Sequence, residues 1–280
     1  MVNWIFMKLI LLVLNKKLFS AVFFFFGFTS ILFSQSDSLN LTKNYCKLNG
    51  RYFLSYICDT KNVLISPIKW NAKEWLSAGS VIGASTLLYT QDRSIKDFFQ
   101  NNRNSFTNNI STQVFERFGS GVYSIPLLGV AFLYGTLAKK EKPTKVALDG
   151  VKAFVVSGIV VQGIKIVTQR QRPYQDPQPS FPDNFDGPQG NFGYNSFPSG
   201  HTTSAFSVAT VIATEYKDVK WIPYACYSIA GLTGLSRIND NKHWASDVLM
   251  GAAIGFGVGK LIANKDCWNT KFFKKRKKKK

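Results

Sequence analysis

Chemistry in this chain concentrates between Lys165 and Asp247, where three short polar clusters interrupt otherwise apolar segments. The first runs from Lys165 to Arg172-Pro173. The second is Pro198-Ser199-Gly200-His201. The third runs from Ser236-Arg237 through His243 to Asp247. His201 and His243 are the only histidines in 280 residues. Lys165, Arg172 and Arg237 are three fixed cations, and arginine forks bind tetrahedral oxyanions in bidentate fashion. Ser199-Gly200 falls at an expected helix start, where free N–H groups suit the same oxyanion. Asp247 follows His243 by four residues. It is expected to lie one helical turn on and to hold the imidazole in one tautomer, leaving the other nitrogen free to attack or to accept a proton. Together these groups make a phosphoryl-transfer site that works without a metal. There is no carboxylate cluster and no Cys/His set with metal spacing, so neither a metal site nor another cofactor is expected.

Lys-x6-Arg-Pro, then Pro-Ser-Gly-His, then Ser-Arg-x5-His-x3-Asp resembles the pattern of the type 2 phosphatidic acid phosphatase (PAP2) family, which shares its site with vanadium haloperoxidases. The resemblance covers roughly residues 120–262 and takes in both histidines. It implies that His243 attacks phosphorus and forms a phosphohistidine. It also implies that His201 protonates the leaving oxygen and later helps to activate water. Lys165, Arg172, Arg237, Ser199 and the Gly200 N–H would cradle the phosphate, with no side chain at Gly200 to crowd it. Two departures from the family stand out. Many bacterial members have Gly where this chain has Gln169. Many have Gly or Asp near the third-cluster histidine, where this chain has Asn241 and Lys242, a further cation beside the nucleophile.

Six long apolar segments rich in Ala, Leu, Ile and Gly must position these clusters, and all read as helices. They are Trp75–Thr90, Gly119–Ala138, Lys145–Thr168, His201–Tyr216, Trp221–Leu235 and Asp247–Ala263. The fold expected is an all-α, PAP2/haloperoxidase-like bundle of about six core helices, polytopic in a membrane, over residues 75–263. Gly119–Ala138 carries no charge over 20 residues, enough for one bilayer crossing. Gly158, Gly163, Gly251, Gly255, Gly257 and Gly259 suit close helix contact. Pro and Gly recur between Arg172 and Pro198, which excludes a helix there. Such a loop serves as a lid or binding loop. Its aromatic residues either meet a lipid or pack the loop down.

Residues 1–36 read as a signal peptide, or as an uncleaved N-terminal anchor: Lys16 and Lys17 precede the uncharged run Leu18–Phe33, and small polar residues follow. Residues 37–74 form a mixed, polar, exported segment in which Cys46 and Cys58 are either a disulfide or two thiols. Residues 264–280 form a polybasic tail. Net charge is +19. Eight of those charges lie in Lys271–Lys280, and the basic residues are not interleaved with aromatics, which argues against a nucleic-acid partner. The tail either meets anionic lipid or is simply solvated.

The connections around Lys139–Lys145, around Lys217–Lys220 and after Ala263 are basic. The positive-inside rule then puts them in the cytoplasm and the three clusters on the opposite side of the inner membrane, facing the periplasm. With a cleaved signal, Trp75–Thr90 must lie at the interface or pack on the bundle while five segments cross. The expected partners are the membrane and a lipid phosphate or pyrophosphate substrate. The rival functions are a soluble or peripheral periplasmic acid phosphatase acting on small phosphomonoesters, a vanadate-dependent haloperoxidase, and a non-enzymatic protein that binds anionic lipid.

Overall fold

The structure, a computed structural model, describes residues 48–175, 185–188 and 193–264. The signal or anchor segment, Cys46, Cys267 and the polybasic tail lie outside the described residues, and so does any Cys46–Cys58 pairing. The helices are α1 (Gly50–Ile65), α2 (Ala72–Asn101), α3 (Ser105–Ile110), α4 (Glu116–Gly119), α5 (Ser124–Leu137), α6 (Glu141–Thr168), α7 (Gly200–Glu215), α8 (Trp221–Asn239) and α9 (Ala245–Ala263). The described residues hold no strand beyond one isolated bridge, Arg170 with Phe185. The all-α expectation therefore holds.

The centre of the bundle is α7, which packs against α6, α8 and α9. Its buried positions include Thr202, Thr203, Ser207 and Thr210 as well as Ala205, Val208 and Val211. Some of these hydroxyls are satisfied by carbonyls of their own helix start or preceding turn. Thr203 Oγ1 donates to Ser199 O (2.8 Å) and Ser207 Oγ to Ser204 O (2.9 Å). Helix α9 meets α7 along Gly251, Gly255 and Gly259. A Cβ built on Gly251 would lie 2.7 Å from Ser199 O, and one on Gly259 would lie 2.5 Å from Ser207 O. At Gly255 the Thr203 carbonyl is closer still. Glycine at every fourth position thus lets two backbones touch.

Helices α6 to α9 alternate in direction. Lys145, in the first turns of α6, donates to the Ala263 carbonyl at the end of α9 (2.9 Å) and pairs with Glu215 at the end of α7. The ends carrying Lys165, His201, Arg237 and Asp247 consequently gather at the opposite end of the bundle. Lys145 also pairs with Asp149 (3.0 Å), so it is not the free positive charge that the loop-charge reading assumed.

The structure adds a helix in one segment and corrects the reading of another. The mixed polar segment 37–74 contains α1, capped by Asn49, whose side chain accepts from Arg51 N and Tyr52 N. Its buried face is Tyr52, Ser55 and Asp59 rather than an apolar stripe. It docks on α6 through Tyr52 Oη donating to Leu148 O (2.9 Å) and a buried Lys152–Asp59 pair (3.1 Å). Hydropathy cannot register a face made of paired polar groups. The apolar segment Gly119–Ala138 is not one straight helix either. The chain breaks after α4, where Gly121 adopts φ +90°, and Ser105–Gly119 and Ser124–Leu137 meet at a 50° bend.

Helices α6 and α9 are long and apolar enough to cross a membrane, and the bent pair would make a third crossing. Among the described residues, length and composition thus support two or three spans where five are expected: neither α7, with only 16 residues and a lining of hydroxyls, nor α8 is among them. The segment Trp75–Thr90 lies within the longer α2. That helix starts at a capping box in which Asn71 Oδ1 accepts from Glu74 N (3.1 Å) and Glu74 accepts from Asn71 N (2.8 Å).

Gly255→Ala is expected to destabilise the protein by about 1–3 kcal/mol through overpacking and to lower the thermal midpoint measured in detergent. Gly257, whose Cβ would meet nothing within 4 Å, is expected to accept Ala without loss.

Candidate active site

The first cluster begins in the last turn of α6. That helix ends where Gln169 turns left-handed (φ 42°, ψ 53°), its N–H bonded to Lys165 O (3.0 Å). Glycine ordinarily fills such a position, which gives a physical reason for the glycine of many relatives. Beyond it the chain is held by backbone bonds from Gly187 N to Thr168 O (3.3 Å) and from Ser196 N to Arg170 O (2.9 Å). Lys165, itself buried, donates to the Asn195 carbonyl, and Arg172 Nε donates to Asn195 Oδ1 (2.8 Å). One loop residue therefore holds both of the first-cluster cations expected to meet a phosphate, Lys165 and Arg172.

The second cluster starts α7. Pro198 follows a cis peptide bond, and Ser199 is the N-cap residue, with no capping bond from its side chain. The Ser199 N–H donates to Asp247 O (3.0 Å) and its Oγ accepts from Thr202 Oγ1 (2.8 Å). This narrows the expectation that either the hydroxyl or the N–H of Ser199 would serve a phosphate: the N–H is committed to α9. A Cβ at Gly200 would meet only Val161, at 3.8 Å. The protein itself leaves that side open, so a demand for glycine there would come from whatever the cradle holds.

The third cluster ends α8 and opens α9. The α8 helix stops through Asn241, which is left-handed at φ 57°, a conformation that asparagine tolerates. His243 lies in the connection, not in a helix, and Asp247 is the third residue of α9, its Oδ2 accepting from Trp244 N (3.0 Å). The four-residue spacing is therefore a loop-to-helix-start geometry rather than a helical turn, because a carboxylate at that position caps the helix. His243 Nδ1 stands 3.6 Å from Asp247 Oδ2, just beyond hydrogen-bond length. Lys242 does not lean on the nucleophile. Its ammonium lies over the Tyr174 ring, 4.6 Å from the centroid.

All eight expected residues come together at this end of the bundle. Lys165 and Arg172 both act electrostatically on His243, and Arg237 and Arg172 act on His201. Burial, reinforced by those two cations, pushes the His243 imidazole down to about 3 against the upward pull of Asp247. The imidazole is thus neutral and fit to be a nucleophile. Arg237 Nη2 pairs with Asp240 (2.5 Å), so a phosphate would share this guanidinium with a carboxylate.

Several residues escaped the sequence reading. Glu116 comes from the far side of the bundle, 3.4 Å from His201 Nε2 and 3.9 Å from Arg237 Nη1. It approaches because Gly119 lets the α4 backbone lie against His201, where a Cβ would sit 2.7 Å from His201 Cβ. The glutamate follows a π-helical turn, Ser111–Phe115. Such turns are frequent at functional sites, but the sequence carries no sign of one. Asp247 is held by Ser196 Oγ (2.5 Å) and by Arg170 Nη1 (2.6 Å). Arg170 was visible inside the first cluster but was passed over for Arg172. It also pairs with Asp92 of α2 at 2.8 Å. It is ringed by Tyr89, Phe185 and Trp244 at 4.9, 5.1 and 5.4 Å from the ring centroids. Of the two readings of the loop aromatics, Phe185 follows the one that packs the loop down.

Known proteins align with this arrangement. The sequence pattern of the PAP2 superfamily matches residues 147–271. A lipid A 1-phosphatase of Porphyromonas gingivalis is 54% identical over 68 residues, 24% of this chain and 15% of that protein. A lipid A 4'-phosphatase of the same organism is 31% identical over 146 residues, 49% of this chain and 58% of that protein. The chain thus spans less than two thirds of the length of either relative. The crystal structure of a transmembrane PAP2 type phosphatidylglycerolphosphate phosphatase from Bacillus subtilis superimposes with a TM-score of 0.47 at 21% identity, covering 79% of this chain and 96% of that one. The superfamily match takes in all three clusters from Lys165 to Asp247, and the chain belongs to the PAP2 superfamily.

Proposed function

We propose that this protein is a metal-independent phosphatase that removes phosphate from a lipid phosphate monoester or pyrophosphate through a phosphohistidine on His243. The observation that carries this reading is the buried, neutral His243 imidazole, with Nδ1 turned to Asp247 and with Lys165 and Arg172 acting on it. Nε2 is then the nitrogen free to attack. The P–N bond forms as the P–O bond to the leaving group breaks, and His201 gives its proton to the departing oxygen. Burial and Arg237 hold the His201 imidazole of the substrate-free protein down at about 4, against the upward pull of Glu116 beside Nε2. In this reading the negative charge of the bound phosphate raises it to the protonated form needed for that step. A water, deprotonated by His201, then breaks the P–N bond and releases phosphate. Lys165, Arg172 and Arg237, with the Gly200 N–H and the Ser199 hydroxyl, would hold the equatorial oxygens while charge redistributes.

The phosphate is supplied by a lipid in this reading because two helices are long and apolar enough to span a bilayer. The two Porphyromonas gingivalis relatives carry lipid A phosphatase names, which makes lipid A phosphates the first lipids to test. The site faces the periplasm. Supporting this, Lys139, Lys140, Lys217 and Lys220 flank the bundle end where α6 begins and α7 stops, away from the site.

Purified protein should release phosphate from lipid A, phosphatidate or an isoprenyl pyrophosphate with a chelator present. His243→Ala should lower that rate by about a thousandfold or more. Full, reversible loss of activity on chelation would overturn the metal-free mechanism. A preference for water-soluble esters over every lipid would overturn the lipid reading.

In the substrate-free protein, His243 should stay neutral from pH 8 to pH 5 in histidine 15N spectra, which hold only two residues' signals. Its pKa in the unfolded chain is about 6.5. The unfolded state therefore takes up this proton first, and stability falls as pH drops from about 6.5 towards 3. Titration of His243 near its ordinary value would remove the basis for a buried neutral nucleophile.

A further inference from the structure

We propose that Asp92 and Arg170 are positioning residues that act through Asp247 to fix the tautomer and direction of the His243 imidazole, so that α2 is part of the catalytic apparatus. This deepens the phosphatase reading and rests on it for the role of His243.

The geometry is a chain of charges closed off from solvent. Asp247, Arg170 and Asp92 all have side chains at 0% exposure. Arg170 spans the two carboxylates, giving Nη1 to Asp247 Oδ1 (2.6 Å) and Nη2 to Asp92 Oδ2 (2.8 Å). Ser246 closes the loop. Its Oγ accepts from Arg170 Nη1 (2.8 Å) and donates to Asp92 Oδ2, while its N–H donates to Asp92 Oδ1 (2.9 Å). Asp92 therefore grips both the arginine that faces Asp247 and the residue that precedes it. The other carboxylate oxygen, Asp247 Oδ2, takes Ser196 Oγ and Trp244 N and is the one turned to His243.

A neutral imidazole carries one N–H. With Asp247 ionised and Oδ2 facing Nδ1, that proton sits on Nδ1 and Nε2 keeps its lone pair. A carboxylate buried without a counter-charge would take up a proton instead. Arg170 supplies the counter-charge, but an arginine with one carboxylate partner is free to fork onto it in bidentate fashion. That would draw both oxygens of Asp247 away from His243. Asp92 prevents it by occupying Nη2. The aromatic ring around the guanidinium, from Tyr89, Phe185 and Trp244, leaves it no other outlet. None of these atoms belongs to the phosphate cradle, so the effect should fall on kcat and not on binding.

The test is a double-mutant cycle with a spectroscopic arm. In Asp92→Asn, kcat on the best phosphate substrate is expected to fall about 10- to 100-fold, with KM changed less than about threefold. In an Asp247→Asn background the same change should cost less than about twofold, because the residue it acts through is already disabled. Histidine 15N spectra of substrate-free protein should show His243 protonated at Nδ1 in the wild type and shifted towards the Nε2–H form in Asp92→Asn. Equal losses in both backgrounds, or an unchanged tautomer, would overturn the proposal and leave Asp92 a plain packing residue.

If Asp92→Asn fails to fold, Ser246→Ala replaces it. That change removes only the hydroxyl between Asp92 and Arg170 and should give a smaller kcat loss, about three- to tenfold, with the same tautomer shift. No change in either measurement would overturn the proposal. The spectra need no substrate. A wild type that releases no phosphate would therefore sink the phosphatase reading while the tautomer still decides this one.

Discussion

A guanidinium closed off from water holds this site together. Arg170 is joined to Asp92 and Asp247 and caged by three aromatic rings. Burying one arginine and two carboxylates is costly unless each partner is in place. Burial alone would lower the guanidinium pKa. The two carboxylates outweigh it and hold Arg170 above its ordinary value. Three separate pieces of chain, α2, the end of α6 and the start of α9, must therefore converge before the site exists. The loop that follows Arg172 returns for the same reason, since Phe185 and Ser196 complete the shell around Arg170 and Asp247.

The second constraint is the closeness of α7 and α9. In the proposed mechanism the phosphate cradle draws on the first turn of α7, and the residue that orients the nucleophile lies in the first turn of α9. Gly251, Gly255 and Gly259 let the two backbones touch. The Ser199 N–H reaches Asp247 O at the top of that contact. Packing and chemistry are thereby one structure: the same interface that stabilises the bundle fixes the distance between the cradle and His243.

The far end of the bundle carries a second buried ionic network, in which Lys145, Asp149, Lys152, Asp59 and Glu215 tie α1, α6, α7 and α9 together. It lies about 20 Å along α6 from Lys165, at 1.5 Å per residue between positions 152 and 165. Its partners are satisfied mainly by one another, and it fixes how α1 docks.

The sequence by itself determined the helical class, the approximate extent of four of the six apolar helices, and the eight residues that gather at one end. These were legible because helices announce themselves by composition, and because the site residues fall in short clusters whose types suit an oxyanion. Only the tertiary structure decided the rest. The partners of Asp247 include Arg170, just past the end of α6, and Ser196 in a loop more than fifty residues away, while Asp92 of α2 reaches it only through Arg170 and Ser246. No local pattern links Asp92 or Ser196 to Asp247. Glu116 reaches His201 through a π-turn and a glycine contact that depend on long-range packing. The face of α1 is polar and paired, so hydropathy passed over it. The break before α5 comes from a backbone turn at Gly121, which an uninterrupted apolar run conceals. Residue type states what a side chain can do, but which charges meet inside a low-dielectric core is fixed only when the helices close around them.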